Sequence, residues 1–331
     1  MESIHTRKIR GLPLLSFVLA VILISSISAP AKAEWPERPI RFIVPVAAGG
    51  GVDLMARVLV DRLNQQLPQR VVIENIGGGG GAIGARDVAK ADPDGYTFLF
   101  AAPGFAAVPA THEPSPYDPI ADFAPVSLVT EFPLVAVIRP DIPAQTLPDF
   151  IALLKKSPDK FNYGSSGVGG SSHMPVELFD YLAGVKMVHV PFRGNAESSA
   201  AMLAGQVDFI IDGLSPQLGN IAEKRVRVLG VTTRTRTPFL PDIPAIGEIL
   251  PGYEYPMWVA VFAPAKTPPA IVDRMSKAIA EAVHNPATQK RYEDIQATPI
   301  GSTPAELDTY FRRQLKFNAD IAQRANIHLA N

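Results

Sequence analysis

Three glycine-rich strings hold the residues whose types and spacing could do chemistry here. They are Ala47-Ala48-Gly49-Gly50-Gly51, the run Gly77 to Gly81, and Ser165-Ser166-Gly167-Val168-Gly169-Gly170-Ser171. Gly79-x-Gly81-x-x-Gly84 has the spacing of a dinucleotide fingerprint. That fingerprint also needs an acid about 20 residues further on, at the end of the next strand, to hold the ribose. The next β-rich run ends in Ala101-Ala102-Pro103, so the partner is missing. No Gly-Lys-Ser/Thr follows any glycine run, which excludes a P-loop. Gly164-Ser165-Ser166-Gly167 lacks the G-x-S-x-G elbow that exposes a hydrolase nucleophile.

Other reactive groups are sparse. Cysteine is absent, which removes thiol nucleophiles, disulfides and thiolate-held metals together. The histidines are His5, His112, His173, His189, His284 and His328; none forms an i,i+4 pair, and no metal site or cofactor is expected. His173 heads a helical segment and reads either as a locally hydrogen-bonded group or as a base. Phe105 and Trp258 read as core or as cleft wall.

What remains is turns without reactive groups. The first and third strings each end a strand and begin a helix, so they would present free backbone N–H groups backed by a positive helix end. Proteins hold a carboxylate or phosphate in this way. The alternative is that each loop only turns the chain tightly. Arg193 could add a local positive charge.

The elements that must position these loops follow an α/β rhythm. Ile40–Val44 is a β-branched run, and Val52, Met55, Leu59 and Leu63 recur at helical spacing. Val71–Ile73, a helix over 82–90 and the strand Tyr96–Phe100 continue the alternation. After a Pro-rich crossing, Val126–Ile138 reads as one extended segment interrupted at Pro133, and a second set of strands and helices follows. Trp258–Phe262 is a last strand, followed by helices over 269–283, 287–295 and 304–324. This pattern predicts two lobes, each a mostly parallel sheet flanked by helices. The first would be discontinuous, 34–132 with 258–331, and the second would be 133–257, with a hinge at the two crossings. Ligands in such sheets sit at the carboxyl ends of the strands, where the glycine turns lie.

Composition narrows the function. Lys and Arg number 31 against 32 Asp and Glu, a formal charge of −1 that argues against a nucleic-acid partner. Arg7, Lys8 and Arg10 precede an apolar run from Leu14 to Ile24, and Ala31-Lys32-Ala33 follows. This is the pattern of a secretory signal cleaved after Ala33; the apolar run is too short for the ~20 residues that a membrane span needs. With no cysteine for lipid attachment, the mature chain is expected to be soluble and exported to the periplasm. Losing residues 1–33 removes four basic residues and one acidic, leaving a formal charge of −4. Anion capture must then rest on local dipoles rather than long-range steering.

Several strings together carry a resemblance. They are Trp35-Pro36-Glu37-Arg38-Pro39-Ile40, the stretch Val44 to Asp53, Asp92-Pro93-Asp94-Gly95-Tyr96, Asn162-Tyr163-Gly164-Ser165-Ser166-Gly167, His189-Val190-Pro191-Phe192-Arg193-Gly194, and Leu250-Pro251-Gly252-Tyr253-Glu254. In order and over nearly the whole mature chain, they resemble periplasmic solute-binding proteins of the tripartite tricarboxylate transporter group, the Bug receptors. The resemblance implies a Venus-flytrap fold of type II, a small carboxylate in the cleft, no catalysis, a membrane permease as partner and a monomer. Two other readings stay open: a sensory partner presenting ligand to a membrane kinase, and an exported hydrolase or dehydrogenase that would show turnover.

Position by position, the first-lobe ligand loop corresponds to Val46, Ala47, Ala48, Gly49, Gly50, Gly51, Val52 and Asp53. The second corresponds to Ser165, Ser166, Gly167, Val168, Gly169, Gly170, Ser171 and onward to His173. Asp212 matches a position that can face the ligand, or it caps the next helix. Asp53 contacts ligand or stabilises its own helix. Val52, Val168 and Gly170 replace residues that are often hydroxylated or amide-bearing in the family. Phe105 and Trp258 could add apolar walls. A mono- or dicarboxylate with an apolar body, possible aromatic bodies included, is therefore expected over citrate.

Overall fold

The run Ile40–Val44 is free of Gly and Pro, and in the computed structural model it forms β1, from which the fold builds outward. The structure describes residues 35–255, 257–324, 327, 329 and 330; the signal segment and its cleavage point lie outside them. Helix α1 (Gly51–Gln66) follows, then β2 (Val71–Asn75), α2 (Ala82–Ala89), β3 (Thr97–Ala101) and α3 (Gly104–Thr111). β4 (Phe123–Phe132) passes Pro133 into β5 (Leu134–Ile138), then come α4 (Leu147–Lys156), β6 (Asn162–Ser165), α5 (Met174–Ala183) and β7 (Val188–Pro191). α6 (Asn195–Leu203), β8 (Phe209–Gly213), α7 (Leu214–Ala222) and β9 (Arg227–Val231) complete that part. The chain returns through β10 (Met257–Pro264), α8 (Pro269–Val283), α9 (Pro286–Asp294), β11 (Thr298–Pro299) and α10 (Pro304–Arg324).

The strands form one sheet ordered β11-β4-β10-β3-β1-β2 and another ordered β9-β5-β8-β6-β7. Both are mixed rather than mostly parallel, which corrects the sequence expectation. In the first, β1 pairs in parallel with β2 and β3, while β10 runs antiparallel to β3 and β4. In the second, β6 is parallel to β7 and β8, while β5 is antiparallel to β8 and β9. The cause is the double crossing. β4 leaves the first sheet at its carboxyl end, so β10 must re-enter from that same end and run the other way. Helix α3 is also unannounced in the sequence, because Pro109 interrupts its pattern.

β10 is buried on both faces, and its alternation assigns its side chains. Met257, Val259 and Val261 face one core; Trp258, Ala260 and Phe262 face a second, with Phe105 and Phe311. Phe105 lies against Tyr117, Phe123, Phe262 and Phe311, with ring centroids 4.8–5.3 Å away. Trp258 is fully buried, edge-on to Tyr310 and Phe311 at 6.1 Å each. It is core and not cleft wall, because its position on β10 turns it under the helices. Its indole Nε1 has no hydrogen-bond partner among the described residues.

Candidate functional site

The loop after β1 is organised by one carboxylate. Asp53 is buried, and its Oδ2 accepts the Gly49 N–H at 2.9 Å and the Arg57 Nε at 2.8 Å. Its Oδ1 accepts from Asn75 Nδ2 at 3.0 Å, and that same amide group donates to the Val46 carbonyl. Burial would raise the Asp53 carboxyl, but the bonds from Arg57, Gly49 and Asn75 outweigh it and hold the group below its ordinary value. Every one of these partners belongs to its own loop, helix or neighbouring strand. The start of α1 is left open: Gly50 provides no side-chain cap, and among the described residues the amides of Gly51, Val52 and Asp53 have no acceptor.

The loop after β6 differs from the sequence expectation. Its helix does not present a bare N-terminus, because the loop closes on itself first. Gly170 N–H donates to Gly167 O, and Met174 N–H to Gly170 O. Ser166 N–H donates to Ser172 Oγ at 2.8 Å, Gly167 N–H to Ser165 Oγ at 3.1 Å, and Gly169 N–H to His173 Nδ1 at 3.3 Å. Val168, Ser171 and Ser172 keep free amides among the described residues. Ser171 as a residue is 6% exposed, and its side chain lines the cavity between the loops.

Asp212, at the end of β8, is 2% exposed and already engaged. Its Oδ1 accepts from Gly213 N–H and Asn195 Nδ2, and its Oδ2 from Gln217 Nε2, at 2.7–2.8 Å. Burial pushes its carboxyl up against those bonds. Asn195 in turn accepts from Ser172 Oγ, so Asp212 acts on the loop at one remove. Arg193 is exposed, beside the place where the two sheets' loops meet. Its carbonyl oxygen would lie 3.2 Å from a Cβ on Gly77.

The two loop sets touch backbone to backbone. A Cβ on Gly80 would overlap the Val168 carbonyl and stand 2.9 Å from the Gly170 nitrogen. A Cβ on Gly104 would come within 3.4 Å of the Gly169 oxygen. Between them is a cavity of about 10 Å³, room for about one water, lined by Pro45, Val46, Gly80, Gly81, Ala102, Gly104, Phe105, Ser166 and Ser171. A larger cavity of about 380 Å³ lies by the crossings and includes Phe132 and Met257. It is lined by no residue of either glycine loop, whereas the smaller one takes Val46 from the first and Ser166 and Ser171 from the second, so the smaller one is the candidate site. Phe105 thus serves both the core and the cleft. Pro45, Gly80, Gly81, Ala102 and Gly104 went unread as site residues. Five consecutive glycines were the available signal for a close backbone approach at Gly80.

Ser165 Oγ and His189 Nε2 are 2.6 Å apart, the spacing of a nucleophile and its base. Ser165 is fully buried beneath its loop, however, so a substrate carbonyl cannot reach it. Among the described residues no group of three or more His, Asp or Glu side chains could hold a metal ion, and no helix is long and apolar enough to cross a membrane.

Two α/β halves that meet through glycine loops at their strand ends, with unbonded amides among the described residues of those loops, have the architecture of a solute-binding protein. The chain belongs to the tripartite tricarboxylate transporter family of receptors, whose model matches residues 55–327. It is similar to the periplasmic binding protein BugD, with 31% identity, a TM-score of 0.85, and coverage of 89% of this chain and 100% of that one. R. palustris Rpa4515, solved with adipate, has 32% identity, a TM-score of 0.85 and the same coverage. MatC of Rhodopseudomonas palustris, with bound malate, has 30% identity, a TM-score of 0.82, and coverage of 87% and 99%. The resemblance seen in the sequence and the two-sheet periplasmic-binding-protein fold are thereby borne out. The family is one of solute-binding receptors, not of enzymes.

Proposed function

We propose that the protein is an exported receptor that closes its two lobes on a small carboxylate and delivers it to a membrane permease of a tripartite transporter. The observation that carries this is a cleft bordered by the loops of both sheets, Pro45 and Val46 after β1 and Ser166 and Ser171 after β6. Those same two loops hold amides without an acceptor among the described residues, at Gly51, Val52 and Asp53 and at Val168, Ser171 and Ser172. A carboxylate can accept from both sets, and each charge-assisted bond is worth about 1.5–3 kcal/mol. The lobes are residues 34–132 with 258–331, and 133–257. Supporting that division, the first sheet takes strands only from 40–132 and 257–299, and the second only from 134–231. The hinge is at Phe132–Leu134 and near Met257. The protein acts as a soluble monomer after cleavage at Ala33.

The ligand is a mono- or dicarboxylate with an apolar body. The cleft walls Pro45, Val46, Ala102 and Phe105 are apolar, and among the described residues Ser166 and Ser171 supply its side-chain hydroxyls. A polar ligand group buried there without a partner costs ~1–3 kcal/mol, which disfavours citrate. The adipate found in one similar structure fits this class, and the malate found in another is a dicarboxylate with an added hydroxyl. Because the closed cavity holds about one water, such a ligand enters only when the lobes part. Mass spectrometry of ligand released from the purified protein, followed by calorimetry with adipate, malate, benzoate and citrate, tests this reading. Citrate binding tightest, or any ligand consumed catalytically, would overturn it.

A further inference from the structure

We propose that His173 and His189 are positioning residues of the cleft: as neutral imidazoles they hold the second loop in the arrangement that leaves only the Val168, Ser171 and Ser172 amides for a ligand. The proposal rests on the carboxylate reading above for its consequence, though not for its geometry. His173 Nδ1 accepts the Gly169 N–H at 3.3 Å, so it carries no proton, and the ring proton sits on Nε2, which is 3.5 Å from Glu177 Oε1. Glu177 also receives the Tyr163 hydroxyl. Ser165 Oγ accepts the Gly167 N–H at 3.1 Å, and its own proton has a short path of 2.6 Å to His189 Nε2, against 3.4 Å to the Gly167 carbonyl. His189 is then an acceptor at Nε2. The two rings lie 4.3 Å apart between centroids, with Tyr163 stacked on His189 at 4.8 Å.

A single protonation state satisfies all these bonds. The groups around the pair are Tyr163 and Ser165 on β6, Glu177 and Asp180 on α5, Lys186 before β7, and Thr111 with His112 at the end of α3, packed over Gly169. Burial, with the nearby His189 adding to it, lowers His173 to about 3, and burial lowers His189 to about 4. The pair therefore stays neutral through the mildly acid range. Protonating His173 at Nδ1 would turn an acceptor into a donor facing the Gly169 N–H, and the loop would lose its shape.

The test compares variants that keep an acceptor with variants that do not. His173→Asn keeps one near Nδ1 and His189→Gln one near Nε2; the leucine variants keep neither. Calorimetry with adipate at pH 7 should show about tenfold weaker binding for His173→Leu and His189→Leu, and a change of about threefold or less for His173→Asn and His189→Gln. Asparagine and glutamine variants as weak as the leucine ones would overturn the proposal. In the unliganded wild type, NMR should show the Gly167 and Gly169 amides and both imidazoles unchanged from pH 7 to 5, moving together only near pH 4 and below. Titration of these signals near pH 6.5 would equally overturn it. A wild type that binds no carboxylate would sink the receptor reading alone, since the NMR titration judges the histidines without a ligand.

Discussion

Gly80 and Val168 belong to loops of different sheets, yet a single added methyl on Gly80 would overlap the Val168 carbonyl oxygen. The contact is backbone against backbone, so no side chain can turn aside to relieve it. This close approach therefore depends on a bare backbone at Gly80, and under the proposed function so does closure of the cleft. The Gly80 φ of 66° adds a second, smaller reason for glycine there.

Gly80→Ala should fold, losing about 1–2 kcal/mol to its left-handed backbone, but fail to close. Adipate should bind at least about tenfold more weakly, and the radius of gyration in solution scattering should no longer shrink on ligand addition. Wild-type closure and affinity in this variant would refute the contact.

Ser171→Ala removes a cavity-lining hydroxyl that makes no hydrogen bond among the described residues. Its melting temperature should stay within about a degree of wild type, since no internal bond is lost. Affinity for adipate should fall about 5–10-fold if the hydroxyl donates to the ligand. Unchanged affinity would take Ser171 out of the site.

Trp258→Phe probes a residue that the structure assigns to the core. Removing the unpartnered indole N–H gains back part of its burial cost of about 1–3 kcal/mol, offset by the smaller ring. The expected net change in stability is about 1 kcal/mol or less, with adipate affinity unchanged within about twofold. A large loss of affinity would return Trp258 to the cleft.

Buried titratable groups predict a pH profile. Burial pushes Asp180 up to about 7, against ~3.9 when unfolded. Between these values the folded state holds a proton that the unfolded state has lost, so this group makes stability fall as pH rises, with no further change above 7. His173 and His189 act oppositely: lowered to about 3 and about 4, they are neutral when folded while the unfolded imidazoles are still protonated below ~6.5. Their contribution is complete above ~6.5 and is lost as pH falls toward 4 and 3. Asp212 and Glu177 are raised by burial as Asp180 is, and His112 is lowered as the other two histidines are, so comparison with Asp180→Asn isolates the one group. Asp180→Asn should lose the fall in stability between about pH 4 and 7 that Asp180 contributes, and exceed wild-type stability at pH 8 by on the order of 2–4 kcal/mol. Parallel melting curves for the two proteins at all pH values would refute the assignment.

Legibility from sequence was uneven, for physical reasons. Helices 269–283 and 304–324 were readable to the residue because their apolar positions recur at the helical period between proline starts. Helix α3 was not, since Pro109 and an almost fully apolar composition erase the period. The antiparallel course of β10 leaves no mark on its own residues, because a strand buried on both faces reads the same in either direction.

The chain by itself determined the alternation of strands and helices, the three glycine turns at strand ends, the absence of thiol chemistry and the family. These are local or compositional properties, written in spacing and residue type. Only the tertiary structure decided which backbone amides remain free. That depends on side-chain hydrogen bonds distant in sequence or hidden in a turn: Asn75 donating to Asp53, His173 accepting the Gly169 N–H, and Asn195 linking Asp212 to Ser172. It also turned Trp258 into the core and set Gly80 against Val168, because packing between segments far apart in the chain follows from the sheets' arrangement and not from either segment alone.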